Sequence, residues 1–173
     1  SGYERLDECY GDLVQYIHAV EIGLSSNPAM NWMLSQLDRF TLLANSDAHS
    51  PEKIGRNANL FNCELSYQGL INAMKNSGAN GFEGTINFFP QEGKYHYAGH
   101  RACNVCVNPV EYLTLQGVCP VCHKKMVSGV MNRVVELSDR TDVLLRPVRH
   151  QPFYLIPLKD LLSEIFGVAP TTK

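Results

Sequence analysis

The chain has 173 residues, of which 45% are hydrophobic and 18% are charged. This composition is typical of a globular protein with one ordinary core, and it excludes an intrinsically disordered chain. A formal net charge of −2 at pH 7 excludes a uniformly basic nucleic-acid binder, so any such binding must come from a local patch.

The N-terminal sequence SGYERLDECYGD has neither the basic part nor the apolar part of a secretory signal. No apolar run approaches the roughly 18 residues of a membrane span, so we expect no membrane partner. Four of the six cysteines lie in two C-x-x-C pairs, which favours metal binding in a reducing, cytoplasmic setting over disulfides. Ser1-Gly2 resembles a remnant of cloning or processing, and we expect the natural protein to begin earlier.

Helical and strand patterns alternate over the first ninety residues. Apolar spacing predicts an amphipathic helix over residues 3–18, followed by a short strand over residues 19–23. Ser26-Asn27-Pro28 predicts a helix start. The apolar run over residues 40–44 predicts a buried strand, and Ser66 can cap a further helix. The buried stripe of the second helix would consist of Met30, Met33, Leu34 and Leu37. This alternation predicts α/β architecture for residues 1–90.

The character of the chain changes after residue 90. Short segments rich in Gly and Cys run over residues 91–128 and predict a small zinc-ribbon-like module. Residues 131–140 and 158–166 then read as two helices within a helical C-terminal segment, residues 129–173. We therefore expect three units along the chain.

The cysteine spacing C-x2-C, twelve residues, C-x2-C predicts a structural zinc site. Two such turns supply the four thiolates that tetrahedral Zn²⁺ prefers, and the predicted ligands are Cys103, Cys106, Cys119 and Cys122. His100 or His123 in place of one Cys is a variation of this set. The alternative is a pair of redox motifs or unligated core cysteines.

A second candidate metal-binding element follows the apolar strand at residues 40–44. Asp47 and His49 are two residues apart, so in an extended backbone both side chains leave the same face. A carboxylate and an imidazole at a strand end can form half of the shell of a hydrolytic metal. Capping and solvated polar structure is the alternative.

Aromatic and basic residues interleave around the first cysteine pair, a combination that suits an unstacked base and its phosphates. The candidate DNA-binding residues are Lys94, Tyr95, His96, Tyr97, Arg101, Lys124 and Lys125. An aromatic hairpin that packs the ribbon onto the α/β part, with solvated lysines, is the alternative.

Several longer sequences resemble one known family. The segments EIGLSSNPAMNW, FTLLANSDAHSPEKIGRNAN, NFFPQEGKYHYAGHR and CPVCHKK, followed by MNRVVELSDR, resemble endonuclease Q within the polymerase-and-histidinol-phosphatase (PHP) superfamily. The resemblance spans nearly the whole chain. It implies the C-terminal portion of a PHP-type (β/α) barrel over residues 1–90, followed by the zinc-ribbon-like module and short helices.

The resemblance implies a metal-dependent endonuclease that acts on DNA carrying damaged bases, with cleavage on the 5′ side of deoxyinosine, deoxyuridine or abasic sites. Asp47 and His49 would inherit two ligands of a catalytic Zn, Mn or Mg cluster, and Glu21 is a possible further catalytic residue. A turn carboxylate is the alternative for Glu21.

The sequence departs from the PHP pattern because it contains no H-x-H motif. We therefore expect a missing N-terminal PHP half to supply the other ligands, and we expect this chain alone to be inactive. Two other functions remain open. One is a non-catalytic zinc-ribbon module that binds nucleic acid or protein, and the other is a PHP-type phosphoesterase that acts on another substrate.

Overall fold

A computed structural model describes residues 2–75, 81–93, 95–141 and 150–168. These residues form a mixed α/β structure of short strands and helices. The strands are β1 (Ala19–Glu21), β2 (Thr41–Leu43), β3 (Ala58–Phe61), β4 (Phe82–Asn87), β5 (Ala98–His100), β6 (Val105–Val107) and β7 (Phe153–Tyr154). The helices are α1 (Leu6–Tyr10), α2 (Pro28–Asn31), α3 (Tyr67–Lys75), α4 (Pro109–Thr114), α5 (Val130–Leu137) and α6 (Leu158–Phe166). Across the described residues, no helix has the length and hydropathy that a bilayer crossing requires.

The N-terminal segment is less regular than its apolar spacing predicts. Helix α1 ends at Gly11, whose φ of +50° a residue with a side chain rarely adopts, and a 3-10 helix over Gly11–Tyr16 follows. Neither helix contains a buried residue, and Leu13 and Tyr16 are 64% and 70% exposed. The predicted amphipathic helix is therefore two short pieces whose apolar face is largely open.

The two predicted strands at residues 19–23 and 40–44 are confirmed as β1 and β2, which pair in parallel with Glu21 opposite Leu43. Apolar residues around this pair form one core cluster, made of Ile22, Leu42 and Ala44 with Val20, Trp32 and Leu37 packed against it. Because the strands are parallel, Glu21 and the loop after β2 lie at the same edge of the sheet. This edge is where α/β folds commonly gather their reactive loops. The closed PHP-type barrel stays a prediction.

The predicted helix start at Asn27 is confirmed. Its side-chain oxygen accepts the backbone N–H of Met30 at 2.9 Å, and Pro28 occupies the first turn of α2. The chain then leaves the helix after one turn, and Met30 and Leu34 pack against Val134 of α5. This second cluster joins the C-terminal part of the chain to its N-terminal part.

Two polar contacts fix α5 in that position. The backbone N–H of Ser35 donates to a carboxylate oxygen of Asp139 at 2.8 Å, and the Ser35 hydroxyl donates to the other oxygen. Arg140 forms a two-pronged pair with Asp38. The end of α5 is therefore held to the turn at residues 35–38 by charge-assisted hydrogen bonds.

The other strands form two small sheets. In the first, β4 pairs antiparallel with β3 and parallel with β7. In the second, β5 and β6 form an antiparallel hairpin, which the 3-10 helix Arg101–Cys103 connects. Helix α4 follows β6 and begins with a reciprocal capping box between Asn108 and Glu111.

Candidate metal centre and nucleic-acid surface

Four side chains from the hairpin and the following turn converge on one point. His100, Cys103, Cys119 and Cys122 each offer a ligand atom, and these atoms all lie within 4.8 Å of one another. Tetrahedral coordination with Zn–S bonds of about 2.3 Å would place sulfur atoms roughly 3.8 Å apart. A small contraction around an ion would therefore satisfy zinc, and the donor set of one imidazole and three thiols suits it.

The two ligand-bearing turns have the same backbone form. Asn104 directly follows Cys103 with a φ of +51°, and His123 directly follows Cys122 with a φ of +58°. Asn and His are among the residues that adopt this left-handed conformation more readily than most. Each turn thus consists of two ligands three residues apart followed by a left-handed residue, with His100 as the first ligand of the first turn.

Hydrogen bonds to the sulfurs set the ionisation of the thiols. Burial raises the pKa of the Cys119 thiol, but the backbone N–H groups of Cys122 and Val121 donate to its sulfur, and its pKa lies below the ordinary value. A hydrogen bond with the Cys122 thiol, burial, and a hydrogen bond with Cys119 together raise the pKa of Cys103 to about 11. The Cys122 sulfur lies 3.4 Å from His100 Nδ1. A metal that binds here must therefore displace protons from the thiols.

Cys106 is placed differently from the other three cysteines of the predicted set. It lies in the middle of β6, it is exposed, and it pairs with Gly99 of β5. It does not belong to the group within 4.8 Å, whose first-turn members are His100 and Cys103. The spacing of the cysteines alone did not distinguish His100 from Cys106, whereas an Asn at position 104 was a usable signal for the end of the turn.

Close backbone contacts hold the hairpin against its neighbours. A side chain at Gly99 would place a Cβ 2.3 Å from the Val105 carbonyl oxygen, and one at Gly129 would meet the Tyr97 backbone at the same distance. Gly99 also exchanges two backbone hydrogen bonds with Val127, at 3.0 and 2.9 Å. These contacts leave no space for a Cβ, which explains the use of glycine at both positions.

The loop after β2 presents Asp47 and His49 to solvent, at 61% and 86% exposure of their side chains. His49 Nδ1 lies 3.0 Å from the Asp47 carbonyl oxygen and 3.9 Å from Asp47 Oδ1. Because a carbonyl oxygen only accepts, this hydrogen bond places the proton of a neutral His49 on Nδ1 and leaves the Nε2 lone pair free. Metal-ligating histidines are commonly oriented in this way.

Two side chains near the strand end hold this loop. Arg56 donates to the carbonyl oxygens of Ser46 at 2.7 Å and of Asp47 at 3.1 Å. The Ser46 hydroxyl donates to the Asn57 carbonyl and accepts the backbone N–H of Gly55, both at 2.8 Å. Asp47 has a φ of +46°, a strained value that these bonds maintain. Sequence reasoning did not identify Ser46 as a residue that positions the loop.

Glu21 is exposed at the end of β1, beside the strand that leads to this loop. In the described parts of the chain, the only group of three or more metal-type ligands is the one formed by His100 and the three cysteines. Asp47 and His49 therefore form a pair of ligands, and the catalytic roles of Asp47, His49 and Glu21 stay predictions.

The predicted DNA-binding residues divide into exposed and buried members. Tyr95 and Tyr97 are 57% and 37% exposed, whereas His96 is 3% exposed, with its Nδ1 atom 3.0 Å from the Ser25 carbonyl oxygen. The His96 ring packs edge-on against Tyr97, with centroids 4.3 Å apart. His96 thus supports the hairpin from the core. Lys94 lies outside the described residues.

The three remaining cations surround the candidate metal centre. Arg101 lies between His100 and Cys103, and Lys124 and Lys125 follow the second turn. All three side chains are exposed, and none forms an ion pair with another described residue. The surface around the metal centre is therefore locally cationic, and Tyr95 and Tyr97 lie in the segment directly before β5.

The chain shares sequence similarity with known proteins. No family model matches the chain. The chain is 29% identical to the uncharacterized protein MJ0043 of Methanocaldococcus jannaschii over 99% of its own length and 22% of that protein. It is 34% identical to the uncharacterized protein YqxK of Bacillus subtilis over 90% of its own length and 38% of that protein.

Two solved structures share the fold of this chain. The lesion-specific endonuclease PfuEndoQ from Pyrococcus furiosus matches with a TM-score of 0.83 at 28% identity. Endonuclease Q in complex with a 27-mer duplex substrate, which has an abasic lesion at the active site, matches with a TM-score of 0.84 at 27% identity. Each match covers 99% of this chain and 43% of the solved chain, so this chain spans less than half the length of these relatives. Because fold and sequence agree along 99% of the chain, it is an endonuclease Q-like protein.

Proposed function

We propose that this chain is the zinc-bearing and DNA-contacting part of a metal-dependent repair endonuclease that cuts the backbone on the 5′ side of damaged bases. The observation that carries the proposal is the structural match, at a TM-score of 0.84, to an endonuclease Q bound to a duplex with an abasic lesion. Deoxyinosine, deoxyuridine and abasic sites are the lesions that we propose for the whole enzyme.

The role of the zinc site in this proposal is structural. Four ligands close the coordination shell, so no position remains for a substrate or a catalytic water. Binding of the ion would join the hairpin β5–β6 to the turn that carries Cys119 and Cys122. We propose that this junction fixes the positions of Arg101, Lys124 and Lys125 for contact with DNA phosphates.

The catalytic ions are proposed to bind at the loop after β2. Asp47 offers a carboxylate and His49 a free Nε2 atom, while Glu21 lies at the end of the neighbouring strand. A bound divalent cation would supply Lewis acidity and a water of lowered pKa for attack on the phosphodiester. We propose that the N-terminal PHP half predicted from the resemblance supplies the other ligands.

The DNA-binding part of the proposal is tested by fluorescence anisotropy with matched duplexes. One duplex contains an abasic site, one a deoxyinosine, and one is undamaged, each titrated at about 50 mM and about 200 mM salt. We expect tighter binding to damaged duplexes and a salt dependence that decreases in Lys124→Gln/Lys125→Gln. Lys75→Gln/Lys159→Gln, which removes the same charge elsewhere, is the control. Equal affinity for all three duplexes would contradict lesion recognition by this chain.

A non-catalytic zinc module that binds nucleic acid or protein is the second candidate, because only two of the proposed catalytic ligands lie together. Metal analysis separates the two functions. More than one metal ion per chain, reduced to one in Asp47→Asn/His49→Ala, supports a catalytic remnant. One ion per chain in both proteins supports the non-catalytic module.

A further inference from the structure

The Arg56 guanidinium is a half-buried cation beside the loop that carries Asp47 and His49. None of the ion pairs between described residues includes Arg56. Its partners in the described part of the chain are the carbonyl oxygens of Ser46 and Asp47 and the Phe88 ring, whose centroid lies 5.9 Å from the guanidinium. A cation that is partly removed from water is stabilised by an anion. The position of Arg56 therefore favours an anionic ligand.

The two hydrogen bonds of Arg56 use one edge of its guanidinium. Nε donates to the Ser46 carbonyl oxygen at 2.7 Å, and Nη2 donates to the Asp47 carbonyl oxygen at 3.1 Å. A planar guanidinium has a second donor edge, formed by Nη1 and Nη2. Among the described residues, none accepts a hydrogen bond from Nη1. This open edge has the fork geometry that matches two oxygens of one phosphate group.

The backbone on both sides of Arg56 is fixed. Gly55, directly before it, has a φ of +83°, and its N–H donates to the Ser46 hydroxyl oxygen at 2.8 Å. Asn57, directly after it, is 4% exposed and accepts the backbone N–H of Phe88 at 2.8 Å. Because these bonds hold the guanidinium before a ligand arrives, binding costs little conformational entropy.

Arg56 and His49 converge on one oxygen atom. The Asp47 carbonyl oxygen accepts from Arg56 Nη2 at 3.1 Å and lies 3.0 Å from His49 Nδ1. The guanidinium thus lies beside the two side chains that we propose as ligands of the catalytic ions. A phosphodiester bound at Asp47 and His49 would bring its negatively charged oxygens to the same small region.

We propose that Arg56 binds the phosphodiester at the cleavage site, with its Nη1–Nη2 edge on the non-bridging oxygens. This inference rests on the proposed nuclease function. One edge of the guanidinium holds the loop, and the other holds the substrate. The positive charge then counters the negative charge that grows on the phosphate during attack. A lysine in its place supplies the charge but not the two edges.

The first test uses the wild-type, 173-residue chain loaded with zinc and dimethyl phosphate, a simple phosphodiester anion. At constant ionic strength, the ¹⁵N–¹H resonances of Arg56 Nη1 and Nη2 should shift on titration, and the Nε resonance should shift less. Arg39, which is paired with Asp7, is the internal control and should not respond. Unchanged Arg56 resonances in a large excess of the anion would overturn the proposal. This measurement needs no duplex, so it does not depend on lesion recognition by this chain.

The second test separates contact with phosphate from support of the loop. The abasic, deoxyinosine and undamaged duplexes are titrated at several salt concentrations with Arg56→Gln, which removes the charge, and with Arg56→Lys, which keeps it. In Arg56→Gln, the slope of log K against log salt should fall by about 0.9, and affinity should fall by the same factor for all three duplexes. In Arg56→Lys the slope should stay at the wild-type value. Arg39→Gln should change neither the slope nor the affinity.

A purely structural role of Arg56 predicts the same loss of affinity in both variants, with the wild-type slope retained in each. That result would overturn the proposal, provided that zinc content and melting temperature show that the variants are folded. Equal affinity of the wild type for all three duplexes, together with a smaller slope in Arg56→Gln, would contradict lesion recognition by this chain but support the phosphate contact.

Discussion

Asn104 and His123 occupy equivalent left-handed positions, with φ values of +51° and +58°, directly after the second ligand of their respective turns. This equivalence favours His100 and Cys103, rather than Cys103 and Cys106, as the ligand pair of the first turn. It also explains why Cys106 lies in a strand, where its side chain is exposed.

This choice of ligands predicts different zinc affinities for two cysteine variants. Cys106→Ser should retain one zinc per chain and an unchanged melting temperature, because Cys106 lies outside the group within 4.8 Å. Cys103→Ser removes a ligand and should weaken zinc binding at least about a hundredfold, more than the loss of a supporting hydrogen bond does. Competition with a chromophoric chelator measures both affinities. Equal losses in the two variants would contradict the assignment.

The core cluster that joins α2 to α5 predicts a large effect at Leu34. This side chain is 8% exposed and packs in a cluster with Met30 and Val134. Leu34→Ala should lower the free energy of unfolding by about 2–5 kcal/mol, as cavity-forming substitutions do. Leu65→Ala is the matched control, since Leu65 is 98% exposed and should change it by less than about 0.5 kcal/mol. Urea unfolding followed by circular dichroism provides both values.

The bond between Ser35 and Asp139 predicts a pH dependence. The Ser35 hydroxyl, and after it the Ser35 backbone N–H, lower the pKa of Asp139 below the ordinary value. The unfolded chain thus binds this proton at a higher pH than the folded chain does. The stabilisation is present above the unfolded pKa, near 3.9, and is lost as the pH falls through the lower folded pKa.

Asp139→Asn should therefore reduce the loss of stability below about pH 4, whereas the same change at exposed Asp12 should not. Thermal melts from pH about 2 to about 6 measure this slope. An acid-side slope that is identical in wild type and Asp139→Asn would show that this carboxylate does not contribute.

The His49 ring should have an unusual tautomer. In solution at a pH of about 8, a neutral exposed histidine prefers the proton on Nε2, whereas the 3.0 Å contact with the Asp47 carbonyl requires it on Nδ1. Long-range ¹⁵N–¹H spectra distinguish the two forms. Arg56→Gln removes two bonds to the loop and should increase the Nε2-protonated fraction, while Arg39→Gln should not. A ring protonated mainly on Nε2 in the wild type would refute this geometry.

Several elements were predictable because the local sequence signals agree with the tertiary packing of the chain. The cap at Asn27, the apolar runs that became β1 and β2, and the periodicity of α6 each specify one element. The N-terminal helix failed because Gly11 adopts a left-handed conformation that apolar spacing does not report. Propensity cannot indicate whether a face is covered, so the open surface of α6 also escaped prediction.

The residue types of the candidate site were predictable from short sequence motifs. The features that depend on the direction of the backbone were not. The spacing of cysteines identified three of the converging ligands, but the choice between His100 and Cys106 depends on where the chain turns into β6. Likewise, the pair Asp47 and His49 is visible in sequence, whereas Arg56 acts through carbonyl oxygens nine and ten residues earlier.

The central claim is that one imidazole and three thiolates hold a single zinc ion in this endonuclease Q-like chain. X-ray absorption at the zinc edge of the purified protein tests it most directly, because Zn–N and Zn–S distances differ, at about 2.0–2.1 Å and about 2.3 Å. We predict a first shell of one nitrogen and three sulfurs in the wild type and in Cys106→Ser. Four sulfurs in the wild type, or a protein that folds fully without zinc, would contradict the account.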